Sequence, residues 1–217
     1  MVKNETMPYC RVEEIWSASI HAAGILFGLV SVVLLAVYSS LYADAWAIVG
    51  TVIFGVSIII MYTASTLYHA AKTPSVKKAL KRFDHISIYY LIAGSYTPFL
   101  LVTLRGVTGW VVFSIIWALA IIGTVLKLTT DANGAKFWSV AMYLGMGWLV
   151  IFVLGSLIEK MPTNALIFLG IGGLMYTIGV FFYIRKSKKY THAVWHFFVL
   201  GGTVSHFFSV FYACALG

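Results

Sequence analysis

The chain of 217 residues is 61% hydrophobic and 10% charged, with a mean hydropathy of +0.93. A soluble domain of this length needs a charged surface that this composition does not supply, so soluble enzymes and soluble binding modules are excluded. The formal net charge of +8 comes from short connections between apolar runs, a pattern of membrane topology rather than of a nucleic-acid-binding surface. The composition therefore predicts a multi-pass protein of the cell membrane (the bacterial plasma membrane), with membrane lipids and no nucleic acid as its partners.

Apolar runs long enough to cross a bilayer, about 20 residues each, occur seven times along the chain. Pro, Gly and charged residues mark the breaks between them. After a polar N-terminal tail at 1–17, the predicted spans are 18–42, 46–71, 84–104, 108–128, 137–158, 164–184 and 191–214. The predicted fold class is all-α integral membrane, a seven-transmembrane helix bundle that forms one domain over 18–217.

Basic residues are distributed unevenly between the two sides of this bundle. One side carries 13 of the 15 Lys and Arg residues, whereas the other carries only Arg105 and Lys160. Because loops rich in Lys and Arg stay inside the cell, this asymmetry places the N-terminus in the cytoplasm and the C-terminus outside. An odd number of spans requires the same split, so the two predictions agree.

Two histidines begin the last apolar run, in Tyr190-Thr191-His192-Ala193-Val194-Trp195-His196. At this spacing of four residues both imidazoles lie on one helix face, one turn apart, and can reach a common point. The spacing alone is also compatible with a pair of histidines that form hydrogen bonds between helices.

Other ionisable residues fall at the same depth of the predicted bundle, where such residues are energetically costly and often functional. His69 ends the second span and Asp84 begins the third, so three helices bring imidazoles and a carboxylate to the cytoplasmic side. Zinc takes nitrogen and oxygen ligands of these kinds, which makes a Zn2+ site plausible. Taken alone, Asp84 could instead be an ion pair or a helix cap, and His69 could be an interfacial histidine.

The remaining polar residues of the spans have weaker interpretations. Ser65 lies one turn before His69, where its hydroxyl could cap a backbone carbonyl or hold a water at the metal. His21 lies at a similar level in the first span, and His85 is interpreted as a structural residue. His206 is about 15 Å beyond His196 along the helix, too far to share its ligands, and is assigned to hydrogen bonding between helices.

These motifs together resemble the hemolysin III family, the bacterial branch of the progestin and adipoQ receptor family. The resemblance runs from about residue 13 to the C-terminus. It extends to the wider superfamily that contains the alkaline ceramidases. It rests on Glu13-Glu14-Ile15 with His21, on Ser65-x-x-x-His69 with Phe83-Asp84, and on His192-x-x-x-His196. It implies zinc held by His69, His192 and His196, and Asp84 positioning a water on the metal. Ser17 departs from the family's first motif, where Asn is usual, which leaves the roles of Glu14, Ser17 and His21 open.

Three functions follow from these observations and from the resemblance. The first is a zinc-dependent hydrolase of lipid amides or esters, with Asp84 and Ser65 as the catalytic residues and the site on the cytoplasmic side. The second is a non-enzymatic regulator or sensor of the membrane in which zinc is structural. The third is a cytolytic, hemolysin-like activity, which seven spans without an amphipathic soluble segment favour least.

Overall fold

The computed structural model describes residues 10–129, 135–185 and 190–216. Within these residues the regular structure is helical, and seven helical segments are long and apolar enough to cross a membrane. This confirms the predicted all-helical bundle of seven spans. The N-terminal residues 1–9 of the predicted tail lie outside the described residues.

The helices follow the predicted spans closely in the apolar regions. In chain order they are α1 (Arg11–Tyr42), α2 (Ala45–Ala70), α3 (Pro74–Pro98, continued by a π-helical turn over Phe99–Thr103), α4 (Val107–Thr129), α5 (Ala135–Trp148, followed by a 3₁₀ turn over Leu149–Val153), α6 (Leu154–Lys160), α7 (Thr163–Ile184) and α8 (Thr191–Val210, continued by a π-helical turn over Phe211–Ala215). Together, α5, the 3₁₀ turn and α6 form the fifth span.

Two helices begin well before the predicted spans. The first starts at Arg11 instead of 18, so the division placed between tail and bundle at residue 17 falls inside α1. The third starts at Pro74 instead of 84. Both extensions contain several charged residues, and a search for uninterrupted apolar runs misses such helix ends because helical hydrogen bonds need no apolar side chains. These extra turns bring Glu13, Glu14 and Lys77 to the end of the bundle that carries the histidines.

The connection from α1 to α2 ends in an aspartate cap at the opposite end of the bundle. Asp44 Oδ1 accepts hydrogen bonds from the backbone N–H groups of Trp46 (2.9 Å) and Ala47 (3.0 Å). Its other carboxylate oxygen forms an ion pair with Arg105. The Ala47 hydrogen bond, helped by Arg105, holds the pKa of Asp44 below its ordinary value. The cap therefore fixes where α2 begins and joins it to the connection after α3.

The fifth span, predicted as one continuous run, is interrupted by the 3₁₀ turn. Tyr96 of α3 bonds to the backbone there: its hydroxyl donates to the Gly147 carbonyl (2.8 Å) and accepts from the Val150 N–H (2.9 Å). Inside a bilayer, backbone groups released from a helix need another partner, and Tyr96 supplies one. The interruption borders a large cavity lined by α2, α3, α5, α6, α7, α8 and His21 of α1.

Candidate metal centre

Three buried imidazoles meet at one end of the bundle. His69 lies in the last turn of α2, and His192 and His196 lie in the first turns of α8. The Nε2 atom of His196 is 3.1 Å from that of His69 and 2.9 Å from that of His192. We call these three residues the imidazole triad. Among the described residues they are the one group of His, Cys, Asp or Glu side chains whose ligand atoms all lie within 4.8 Å of one another.

The start of α8 is held by an acidic residue of α1. The buried carboxylate of Glu13 accepts a hydrogen bond from the backbone N–H of His192 (3.3 Å). Tyr190, just before the helix, has a positive φ of 65°, the left-handed conformation. Negative charge at a helix N-terminus is stabilising, because the free N–H groups there carry partial positive charge. Glu13 thereby helps to place His192 and His196 relative to α1.

A carboxylate and a lysine set the orientation of His69. The Nδ1 atom of His69 is 2.7 Å from Glu14 Oε2, and Glu14 Oε1 is 3.0 Å from Lys77 Nζ. A carboxylate can only accept a hydrogen bond, so the proton of the neutral His69 ring lies on Nδ1. Its Nε2 lone pair therefore points towards the other two imidazoles.

A fourth histidine, His21, contacts the outer nitrogen of His196, as Glu14 contacts that of His69. His21 Nε2 lies 2.6 Å from His196 Nδ1, and the two rings meet edge to face. If His196 Nδ1 donates this hydrogen bond, His196 Nε2 also has a free lone pair. Ligand histidines in metal sites commonly donate their second N–H in this way. Spacing alone did not identify His21 and Glu14, although they lie seven residues apart and so share one face of α1.

The donor set fits a zinc ion better than it fits hydrogen bonding among the three rings. His196 Nε2 faces two imidazole nitrogens at once, but one ring nitrogen carries at most one proton. Tetrahedral zinc with Zn–N distances of about 2.0–2.1 Å puts its nitrogen ligands about 3.3 Å apart. The observed separations of 2.9 and 3.1 Å are close to that value. The imidazole triad could therefore hold a metal ion, and the outer hydrogen bonds of His69 and His196 engage Nδ1, which leaves Nε2 of both rings facing the site.

Asp84 and Ser65, the predicted catalytic residues, lie beside the triad and outside it. Both are buried and both line the cavity. The His69 ring, Lys127 and Lys81 interact electrostatically with the Asp84 carboxylate, whereas the buried Ser65 hydroxyl makes no hydrogen bond of normal length and angle. The carboxylate is not among the ligand atoms that lie within 4.8 Å of one another. This placement suits a group that acts next to a metal more than a direct ligand.

The cavity has a volume of about 520 Å³ and extends from the triad into the apolar part of the bundle. His192 and His196 lie at one end of its lining, and most of the remaining wall is apolar. Ile151, Ile158 and Leu174 line it and are each more than half exposed, so the cavity is open on the side of α6 and α7.

The two other histidines of the bundle take separate positions. His85 lines the cavity, and its backbone carbonyl accepts a hydrogen bond from Tyr143 (2.8 Å). His206 also lines the cavity, far from the triad. The sequence predicts an interhelical hydrogen bond for His206. In the structure the Leu169 carbonyl of α7 interacts with its ring, yet neither ring nitrogen makes a hydrogen bond of normal length and angle.

Known proteins resemble this chain over most of its length. The profile of the family described as "Haemolysin-III related" matches residues 9–207, which include every residue of the site. Hemolysin-3 of Bacillus cereus is 39% identical over 200 residues, which cover 92% of this chain and 91% of that protein. The Hemolysin-3 homolog of Bacillus subtilis (strain 168) is 40% identical over 202 residues, covering 93% and 94%. The monocyte to macrophage differentiation factor of Homo sapiens is 28% identical over 173 residues, covering 77% and 71%.

These matches confirm the resemblance that the motifs indicated, and the seven helices agree with a multi-pass protein of the cell membrane. The chain belongs to the haemolysin-III-related family.

Proposed function

We propose that the chain is a zinc-dependent hydrolase of lipid amides or esters, with its site on the cytoplasmic side of the membrane. One observation carries the proposal: the imidazole triad lies at the wall of a cavity of about 520 Å³ that is mostly apolar and open towards the lipid. A metal centre alone does not need such a cavity. The charge asymmetry of the loops supports the cytoplasmic placement, because α1, α2, α3 and α8 meet at the basic end of the bundle.

Each part of the site has a role in this reaction. His69, His192 and His196 would hold zinc, which supplies a Lewis acid and lowers the pKa of a bound water to about 7. Asp84, next to the triad, would accept a proton as general base and return it to the leaving group. Ser65 lines the same cavity as Asp84 and would keep the Asp84 carboxylate oriented. Glu14 and His21 would hold the rings of His69 and His196 in the ligating tautomer.

The substrate class follows from the shape of the cavity. Its apolar walls would receive a hydrocarbon chain, while the polar end would hold the amide or ester beside the triad. Its opening at Ile151, Ile158 and Leu174 would admit a chain from the surrounding lipid without passage through water.

The experiment compares metal content and hydrolysis in one purified Asp84→Asn sample. An amide cannot accept the proton, so we expect zinc to be retained at saturating metal while hydrolysis of ceramide-like and phospholipid substrates falls by about 100-fold or more. Asp44→Asn is the matched control, because it makes the same change at the other end of the bundle. Equal hydrolysis by Asp84→Asn and the wild type would contradict the assigned role of Asp84.

A second candidate is a regulator or sensor of the membrane in which zinc is structural. The triad joins the end of α2 to the start of α8, so a metal there would stabilise the bundle as a crosslink. Undetectable hydrolysis by wild-type protein that contains zinc would favour this function. A cytolytic activity is suggested by the name Hemolysin-3 of two relatives, and no feature of the cavity calls for it.

A further inference from the structure

One polar group that lines the cavity well away from the triad is the imidazole of His206. His196 and His206 lie on α8 and both line the cavity, ten residues and about 15 Å apart along the helix. The second, smaller cavity also has His206 in its wall, together with Leu169 and Gly173. His206 therefore lines the same cavity as His192 and His196 of the triad.

The His206 ring packs closely against α7. Gly172 of α7 lies directly against it, and a Cβ atom added there would lie 2.1 Å from His206 Cδ2. Tyr176, one turn further along α7, packs edge to face against the same ring, with ring centroids 5.3 Å apart. Both ring nitrogens are buried from solvent without a hydrogen bond of normal geometry. The Leu169 carbonyl could accept from one of them at most, so the second nitrogen remains available.

The neighbouring polar groups are already satisfied by one another. Thr203, one turn before His206, donates to the Val199 carbonyl (3.0 Å) and accepts from Tyr62 (2.9 Å). The Tyr176 hydroxyl lies 2.8 Å from the same Thr203 oxygen. Because the Thr203 hydroxyl donates its one hydrogen to the Val199 carbonyl, both tyrosine hydroxyls donate to the Thr203 oxygen. His206 lines the cavity beside this network but makes no hydrogen bond of normal geometry with it.

We propose that His206 is a specificity-determining residue that hydrogen-bonds an oxygen in mid-chain of the lipid ligand. The ligand class is a hydrocarbon chain with a polar head at the triad and a second polar group, such as a hydroxyl, about 15 Å further in. A buried imidazole nitrogen without a partner is costly, so a plain chain leaves that cost in place and a hydroxylated chain removes it. This inference rests on the proposed function only in placing the polar head at the triad.

The test uses binding rather than hydrolysis, so that it can fail or succeed independently of the enzymatic proposal. Oleate and ricinoleate differ by one mid-chain hydroxyl, and each would compete with radiolabelled oleate for the purified, zinc-loaded protein in lipid nanodiscs. We expect ricinoleate to compete about tenfold better than oleate, the scale of one satisfied buried polar group. Oleate hydroxylated next to its carboxylate should compete no better than oleate, because its hydroxyl stays near the triad.

Two variants assign the effect to His206. His206→Phe keeps an aromatic ring against Gly172 and Tyr176 but has no nitrogen, so the preference should fall to about onefold, mainly because oleate binds better. Gly173→Leu adds bulk where a Cβ meets nothing within 4 Å, and should weaken both fatty acids equally. Zinc content near that of the wild type checks that each variant is folded. Equal competition by the two fatty acids in the wild type, or an unchanged preference in His206→Phe, would overturn the proposal.

Discussion

Glu14 is the residue whose role the spatial arrangement changes most. It lies in the first turn of α1, and in the structure it bridges His69 and Lys77. A carboxylate behind a ligand histidine raises the basicity of the ring and fixes its orientation. Lys77 compensates the charge of Glu14 in a buried place, which lowers the cost of keeping that charge. The position of His69 Nε2 therefore depends on residues of three helices.

Replacement of Glu14 tests this dependence. Glu14→Gln should weaken zinc binding by about 10- to 100-fold, because an uncharged amide supports the His69 N–H less strongly. Glu159→Gln is the matched control, since Glu159 is exposed at the opposite end of the bundle and makes the same change of side chain. Zinc affinity would be measured by competition with a chelator. Equal affinities for Glu14→Gln and the wild type would show that the ring is oriented by packing alone.

The triad itself predicts the metal content. Zinc should copurify at about one equivalent per chain, and His192→Ala or His196→Ala should remove most of it, because two imidazoles bind zinc more weakly than three. His85→Ala is the control, as His85 lines the same cavity without belonging to the triad. Metal analysis and thermal unfolding would be run on the same samples. Loss of zinc should lower the unfolding temperature, because a ligand bound only by the folded state stabilises that state.

Full metal occupancy in the double variant His192→Ala, His196→Ala would contradict the assignment of the site.

At the scale of helices, the ends and interruptions carry most of the specific interactions. The start of α2 is capped by Asp44, the start of α8 by Glu13, and the 3₁₀ turn before α6 by Tyr96. Each of these places leaves backbone groups without helical partners, and each is satisfied by a side chain. Two of the three join helices far apart in sequence, so they contribute to tertiary structure as well as to the helix.

The Asp44 cap predicts a pH-dependent contribution to stability. Its folded-state pKa is lowered, chiefly by the Ala47 N–H, so the contribution is fully present above the ordinary pKa of an aspartate and is lost as pH falls through the lowered folded value. Asp44→Ala should cost about 1 kcal/mol near neutral pH, the usual scale for loss of an aspartate cap. The free energy of unfolding in mixed micelles would be compared at neutral and acidic pH. A difference between variant and wild type that stays constant down to the lowest pH would contradict the role of the charge.

At the scale of the whole molecule, the two ends of the bundle differ in chemistry. The triad end joins α1, α2, α3 and α8 through buried charged and imidazole groups. The opposite end holds the exposed Asp44–Arg105 ion pair. At that end the Sγ atom of Cys214 lies 3.8 Å from the Oγ1 atom of Thr103. The orientation of these ends in the membrane decides which compartment the proposed active site faces.

Thiol labelling of intact cells would determine the orientation. Lys78 and Glu159 are exposed residues at opposite ends of the bundle. In a Cys10→Ser background, Glu159→Cys should react with an impermeant reagent, and Lys78→Cys should react only after the cells are permeabilised. This expectation follows from the concentration of Lys and Arg at the triad end. The reverse pattern would place the site outside the cell.

Several properties of this protein could be predicted from the amino-acid order alone. Span number and positions follow from hydropathy, because the bilayer imposes a length of about 20 apolar residues on each helix. The depths of His69, His192 and His196 follow from their positions within those spans, and their motifs indicate the family. These predictions rest on local sequence, which is why they hold to within a few residues in the apolar regions.

Tertiary packing decided the rest, because it depends on contacts between residues far apart in the chain. The His21–His196 hydrogen bond spans 175 residues and the Glu14–His69 bond spans 55, and no periodicity encodes either. The first turns of α1 and α3 are helical, although the apolar runs that predict these spans begin only after them. The break between α5 and α6 depends on a hydroxyl supplied by Tyr96 of α3. The cavity that joins the triad to His206 is lined by α3, the fifth span, α7 and α8, so its shape depends on side-chain volumes from several helices rather than from one.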